Sequence, residues 1–510
     1  MEIAIKLFQF ILSISILVLL HELGHFLPAI WFKTRAEKFF LFFDPYFSIF
    51  SMKKINGKWQ YKFLSKNLPD SEVIEVNGKK EEVPVDISKL PDNDWRKHPE
   101  QTKYGIGWLP FGGYVKIAGM VDESMNTAQM KKPAEPWEFR SKPAWQRLII
   151  MLGGVTVNFF LAWLIYSCLS FFNGETYTDI TKFSNGIEAT AAGKKMGFQN
   201  GDKIISVDGK PAERLENTSI NILLGDHVTV LRNGQEVTFP VNADGVADVL
   251  KQREAKLYIT PRVSMVVDSL ATPSSQASGL TKGDKIVGIN GKKAVFFDEV
   301  STLLSENKGK TVSVDVERNG ALQTLPAVSV DKNGKLGIAI DTKSIAKSIV
   351  TNKKYSFGEA IPRGFTRTIE ALTTQVKQFK IMFNSKVQGY KNVGGPIAIV
   401  KNMPVDKDAD GSFKINWVAF WSFTAMFSVW LAFLNLIPIP GLDGGHVLFT
   451  LYEIIVGKPV PQKVLGKRTD DRGYLPVRID VTDLWKRHLQ GIYREIIIFL
   501  KIFLKNICRV

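Results

Sequence analysis

Two cysteines in 510 residues are too few for a disulfide framework, which excludes the small folds held together by such bridges. One of them, Cys168, lies inside an apolar run, where a cysteine behaves as a small hydrophobe. Histidine is scarce as well, six in all, so two of them placed four residues apart carry information. The chain lacks any basic cluster on a nucleic-acid motif, although 66 Lys and Arg against 50 Asp and Glu leave it at +16. That charge is spread through loops beside apolar runs, which suits an anionic membrane surface better than nucleic acid. The mean hydropathy of −0.01 is an average over two unlike populations, a few long apolar runs and the Lys-rich polar stretches between them. The length allows several domains of about 100–200 residues each.

Three of the apolar runs are long enough to cross a hydrocarbon core of about 30 Å as helices. Residues 7–32 (LFQFILSISILVLLHELGHFLPAIWF) form the first. A signal peptide would have a shorter apolar region and a small-residue cleavage site, and would not carry ionisable residues within the run. Residues 147–172 form the second, with Gly153, Gly154 and Asn158 inside it, and residues 416–439 the third, with Trp417 and Trp421 as interfacial anchors. Only Lys6 precedes the first span, whereas Lys33, Arg35, Lys38, Lys53, Lys54, Lys131, Lys132, Lys142 and Arg147 follow it before the second. The positive-inside rule therefore puts the segment between these spans in the cytoplasm, and the region between spans two and three outside.

That outer region contains an internal repeat. GFQNGDKIISVDGK at 197–210 recurs as GLTKGDKIVGINGK at 279–292, an offset of 82 residues, and Arg232-Asn233-Gly234 recurs as Arg318-Asn319-Gly320 at an offset of 86. Two motifs recurring together indicate a duplicated domain. The β-branched runs joined by Asn-Gly predict type I′ hairpins, and the G-[FL]-x-x-G-D-K-I pattern resembles PDZ domains, which bind extended peptides at a sheet edge. The alternative is a pair of spacers. After the repeats, IPRGFTRTIEALTTQVKQFKIMF places apolar residues at helical spacing with Lys and Arg between them, which predicts an amphipathic helix on the membrane surface.

His21-Glu22-Leu23-Gly24-His25 has the pattern H-E-x-x-H. Four residues apart on a helix, both imidazoles reach one Zn²⁺ while the glutamate holds water. Ionisable residues inside a membrane helix are costly and mark function; lumen-facing residues of a transporter are the competing account. A catalytic zinc takes three protein ligands and keeps one position open. The candidate for the third is Asp443, in NLIPIPGLDGGH at 435–446, where Pro438 and Pro440 break the helix and glycines allow sharp turns. Irregular backbone at membrane depth is tolerated where protein or a water-filled cavity covers it, so Asp443 can turn back toward the metal. Asn435 is placed to steady a substrate backbone.

With HELGH in the first span, PFGGYVKIAG at 110–119, the tandem PDZ-like units, GGPIAI at 394–399 and NLIPIPGLDGGH, the chain resembles the site-2 protease family in its bacterial RseP-type branch. The resemblance covers nearly the whole chain. It implies zinc bound by His21, His25 and Asp443, Glu22 as general base, and a GGYV stretch (Gly112, Gly113, Tyr114, Val115) that dips into the membrane as a β-like loop pairing with unfolded substrate. Asn435 is implied to contact the substrate strand. The implied activity is zinc-dependent cleavage of transmembrane segments of single-pass membrane proteins, such as a pre-trimmed anti-sigma factor or leftover signal peptides. The implied setting is the lipid bilayer of a bacterial inner membrane, with the PDZ-like units and their peptide ligands periplasmic and the active site near the cytoplasmic side.

The expected fold is a polytopic α-helical membrane protein with two inserted β-rich PDZ-like domains, mixed α and β. The first transmembrane helix takes residues 1–35. A cytoplasmic insertion with a re-entrant β-like loop at about 104–120 takes 36–146, and the second span takes 147–173. PDZ-like domains occupy 174–260 and 261–345, the amphipathic region 346–400, and the third helix with its N-x-x-P-x-x-x-x-D-G motif 412–457. Residues 44–103 read as a small β-rich elaboration. Within the tail at 458–510, residues 467–490 are too polar for the fourth membrane helix that the resemblance implies. A one-base slip of the coding frame can turn that stretch into an apolar run, in which case residues after about Gly466 are not family sequence. Two other functions compete. A tandem-PDZ scaffold anchored in the membrane would need neither zinc nor Glu22. A zinc protease acting on soluble segments would have a water-facing H-E-x-x-H helix and a glutamate as third ligand.

Overall fold

The computed structural model describes residues 2–458, apart from 69–70, 77–78, 86, 92–93, 111, 121–132, 252–257, 383–395, 402, 409 and 439–441. The polar segment 467–490 and the frame-slip reading thus lie outside the described residues. The chain divides into two compact units. One comprises Met1–Leu169, Glu359–Leu372 and Pro396–Val510, and the other Ser170–Gly358 and Thr373–Gly395.

The first unit contains three helices long and apolar enough to cross a membrane: Glu2–Trp31, Ala144–Asn173 and Trp417–Leu436. Each overlaps an expected span, with shifted ends. The first begins five residues earlier than the apolar run, its opening turn closed by a Lys6–Glu2 ion pair of 2.8 Å. The third is shorter than expected. Asn416 caps its start by accepting from the Ala419 amide at 2.8 Å, and it stops at Leu436, because Pro438 disfavours helical backbone in the residue before it. The region expected over 412–457, with its break at Pro438 and Pro440, consists of this helix and a second one, Asp443–Val456.

Small residues let these helices approach closely. A Cβ at Gly24 would lie 2.5 Å from the Gly153 carbonyl oxygen, so the first and second spans cross backbone to backbone. Ser13 and Thr424 hydroxyls meet at 2.9 Å between the first and third spans. Ser428 of the third donates to the Asn158 carbonyl of the second at 2.7 Å. The amphipathic stretch forms the helix Phe357–Met382. In its early turns the Ile361 carbonyl accepts from Trp163 at 2.9 Å and Gly364 packs on Ser167, so this part lies against the second span.

Between the first two spans the chain builds one five-stranded sheet in the order Lys58–Lys66, Phe43–Ile55, Lys103–Leu109, Ala36–Leu41, Tyr114–Ile117. The insertion is thus not a separate elaboration throughout. Its strands Phe43–Ile55 and Lys58–Lys66 extend the sheet that holds the GGYV stretch, and only the hairpin Ser71–Val76 with Lys79–Pro84 stands apart. The two strands from the expected β-like loop are not neighbours, because Ala36–Leu41 pairs between them, parallel to one and antiparallel to the other. Tyr114–Ile117 is left as an edge.

The second unit holds the repeats. Each has a four-stranded antiparallel sheet, at 203–240 and 285–329, with a helix at Leu215–Leu224 and Phe297–Glu306 respectively. Their Asn-Gly turns have successive positive φ, 50° and 83° at Asn233-Gly234 and 52° and 82° at Asn319-Gly320, the type I′ geometry that the dipeptides predict. In the first repeat Arg232 forks onto buried Asp202, both contacts at 2.8 Å; in the second Arg318 forks onto buried Asp284, both at 2.7 Å. The cores are made of alternating inward residues such as Val228 and Val230, and Val314 and Val316. Arg262 and Asn200 both bond Asp298, which ties the repeats to one another.

Candidate metal centre

His21 and His25 lie one turn apart on the buried face of the first span, as the i, i+4 spacing requires, and both are nearly inaccessible. Asp443 is the first residue of its helix and follows the extended Leu442, and its carboxylate lies against the histidines. Its Oδ2 lies 3.3 Å from His21 Nε2 and 3.1 Å from His25 Nε2, and the two Nε2 atoms are 3.3 Å apart. The ligand atoms of the three residues all fall within 4.8 Å of one another. Buried Asp443 Oδ2 nonetheless lacks a well-formed hydrogen bond among the described residues. Two imidazole nitrogens and one unsatisfied carboxylate oxygen converging on one point are the donor set of a catalytic zinc site, so these residues fit that metal.

The surrounding residues aim the imidazoles. His25 Nδ1 donates to the Ile150 carbonyl at 2.8 Å, so in the neutral ring Nε2 carries the lone pair toward the centre. His21 Nδ1 lies 3.1 Å from the Asn158 carboxamide. Gly154 presses against both rings; a Cβ there would sit 2.4 Å from His25 Nε2 and 2.5 Å from His21 Cε1. The second span thus closes over the histidines with a residue that has no side chain.

The remaining predicted residues also gather here. Glu22 accepts a hydrogen bond from the Val115 amide at 2.9 Å, which joins the motif glutamate to the edge strand. Tyr114 stacks on Phe40 and Phe43 and donates to Asp44 at 2.8 Å, anchoring the same strand from its other face. Gly112 has φ 132°, open to glycine but strained for other residues, and a Cβ on Gly113 would lie 2.5 Å from the Phe40 carbonyl oxygen. Asn435 Nδ2 lies 3.1 Å from His21 Nε2, at the end of the third span. Sequence reasoning noted Gly153, Gly154 and Asn158 without giving them a task. Their signal was an amide and two glycines inside an apolar span, the composition of a tight crossing that carries a polar site. The Ile150 carbonyl and Ser428 left no such mark.

A family model for peptidase family M50 matches residues 9–66 and 79–467. The regulator of sigma E protease of Haemophilus influenzae is 25% identical over 479 residues, which cover 89% of this chain and 92% of that protein. The regulator of sigma-E protease RseP of Escherichia coli is 27% identical over 398 residues, covering 72% of this chain and 83% of that one. The protease RseP of Yersinia pestis is 25% identical over 490 residues, covering 91% and 94%.

Proposed function

Because this chain belongs to peptidase family M50, and is thereby a membrane zinc metalloprotease, we propose that it cuts single-pass membrane proteins within their transmembrane segments. The observation that carries this reading is the convergence of Asp443, at the start of the short helix after the third span, on His21 and His25 of the first span, with Glu22 bonded to the edge strand beside them.

His21, His25 and Asp443 would hold the zinc. When bound, the metal supplies a polarised carbonyl and a water acidic enough to lose its proton near neutral pH. Glu22 takes that proton as general base and returns it to the leaving amine. A helical substrate must first lose its own hydrogen bonds, and the edge strand Tyr114–Ile117 offers replacements by strand addition. Asn435, Gly112, Gly113, Tyr114 and Val115 are the residues assigned to steady that strand. His21 lies ten residues before the end of its helix, about 15 Å by helix rise, which suits a site reached by water from the cytoplasmic side.

The repeats act as PDZ-like units on the opposite, periplasmic side of a bacterial inner membrane and admit substrates already trimmed, such as an anti-sigma factor or a signal-peptide remnant. In the first repeat the Tyr258 hydroxyl donates to the Ser219 carbonyl at 2.7 Å, bridging the strand Ile259–Pro261 region to the helix Leu215–Leu224.

The test is co-expression of the chain or its Glu22→Gln variant with a tagged single-pass protein already shortened outside the membrane. Shortening of the tagged fragment only with Glu22 present is the expected result. Equal processing by both forms would refute the proposal.

A further inference from the structure

The protein's own hydrogen bonds leave one question open at the centre, namely which nitrogen of His21 carries the proton. Zinc ligation through Nε2 requires the proton on Nδ1, and a ring in that state needs an acceptor at Nδ1. For His25 the acceptor is the Ile150 carbonyl. For His21 the neighbour at Nδ1 is the Asn158 carboxamide at 3.1 Å, both residues wholly or almost wholly buried.

A carboxamide has one donor end and one acceptor end of nearly equal shape, and the hydrogen-bond network decides which end faces a neighbour. If the NH₂ end faced Nδ1, that nitrogen would have to accept. The proton would then sit on Nε2, pointing at Asp443 and His25 and blocking ligation. Asn158 Oδ1 meanwhile has no donor among the described residues. A half-turn of the amide brings this oxygen onto Nδ1 and supplies the missing acceptor. The backbone at this point is fixed, since the Asn158 carbonyl accepts from Ser428 at 2.7 Å and the Gly24–Gly153 crossing holds the two helices together.

We propose that Asn158 is a positioning residue that accepts the Nδ1 proton of His21 through its side-chain oxygen and so holds the His21 Nε2 lone pair toward the metal. This inference rests on the proposed zinc-ligand reading of His21. It assigns the second span a task in metal binding through a residue that touches neither metal nor substrate.

The test measures zinc affinity of the full chain in detergent by competition with a chromophoric chelator, for the native protein and for Asn158→Leu and Asn158→Asp. The visible spectrum of the cobalt-substituted forms is recorded alongside. Aspartate can accept from Nδ1 but cannot donate. Leucine should weaken zinc binding by about 10–100-fold and alter the cobalt bands, while aspartate should restore both to near native. Asn158→Ala serves if the leucine protein does not accumulate, with the same expectation. Native affinity in the leucine or alanine protein would overturn the inference, as would equal loss in the aspartate protein. His21→Ala is the control: if it leaves zinc affinity intact, the ligand reading itself fails. If affinity depends on His21 but not on Asn158, only the present inference fails.

Discussion

The aspartates at the heart of the two repeats and Asp443 of the membrane unit are treated in opposite ways. In the second repeat Asp284 accepts from both arms of Arg318 and from the Thr281 amide and hydroxyl, so its carboxylate is saturated. Asp202 in the first repeat is held the same way by Arg232 and the Gln199 amide. Asp443 faces two neutral-capable imidazoles and keeps one oxygen without a well-formed hydrogen bond. A buried carboxylate costs several kcal/mol unless paired. The repeats remove that cost within the protein, whereas the cluster of His21, His25 and Asp443 leaves an arrangement that fits a cation. On the proposed reading, saturation goes with a structural aspartate and convergence without saturation with a ligand.

The largest expected effect comes from removing the unsaturated member. Asp443→Ala should lose stoichiometric zinc, read by elemental analysis after dialysis, and cleavage should fall to background. Retained zinc at native stoichiometry would erase the distinction between the two kinds of aspartate.

Removing a saturating partner should do the converse. Arg318→Met removes the charged partner of Asp284, leaving it only the Thr281 bonds, and should lower the melting temperature of the second repeat while zinc content stays native. Thermal unfolding followed beside metal analysis separates the two outcomes.

A smaller effect follows from pH. The Arg318 hydrogen bonds hold the Asp284 carboxyl below its ordinary value. A depressed carboxylate contributes stability that is complete above its unfolded pKa, about 3.9, and is lost as pH falls through the lower folded value. The melting temperature of the second repeat should therefore be insensitive to this group from pH 7 to 5 and decline below about 4. In Arg318→Met that acid-dependent component should shrink, as acid titration by circular dichroism would reveal.

How much of this was readable in the sequence follows from how local each feature is. His21, Glu22 and His25 are fixed by one helix turn, and the helix forms where the apolar run says it does. Asp443 needed a second motif, and its breaking prolines and glycines signalled a reversal without giving its end point. The type I′ turns were readable because Asn-Gly determines its own backbone. The Asp202–Arg232 and Asp284–Arg318 pairs were hidden, although both partners sit in the motifs that revealed the repeat. The merging of the insertion into the sheet was not readable, because it depends on the parallel pairing of Ala36–Leu41 with Lys103–Leu109 across some sixty residues of chain. The His21–Asn158 contact depends on where two helices cross, which Gly24 and Gly153 permit but do not specify alone.

The most direct measurement is the position of the cut. The chain and its Glu22→Gln variant would be reconstituted in lipid vesicles with a single-pass substrate, and the products' new termini identified by mass spectrometry. The account predicts a Glu22-dependent cut between two residues of the apolar span, with both forms holding equal zinc. Cleavage confined to the substrate's water-exposed flank would contradict it.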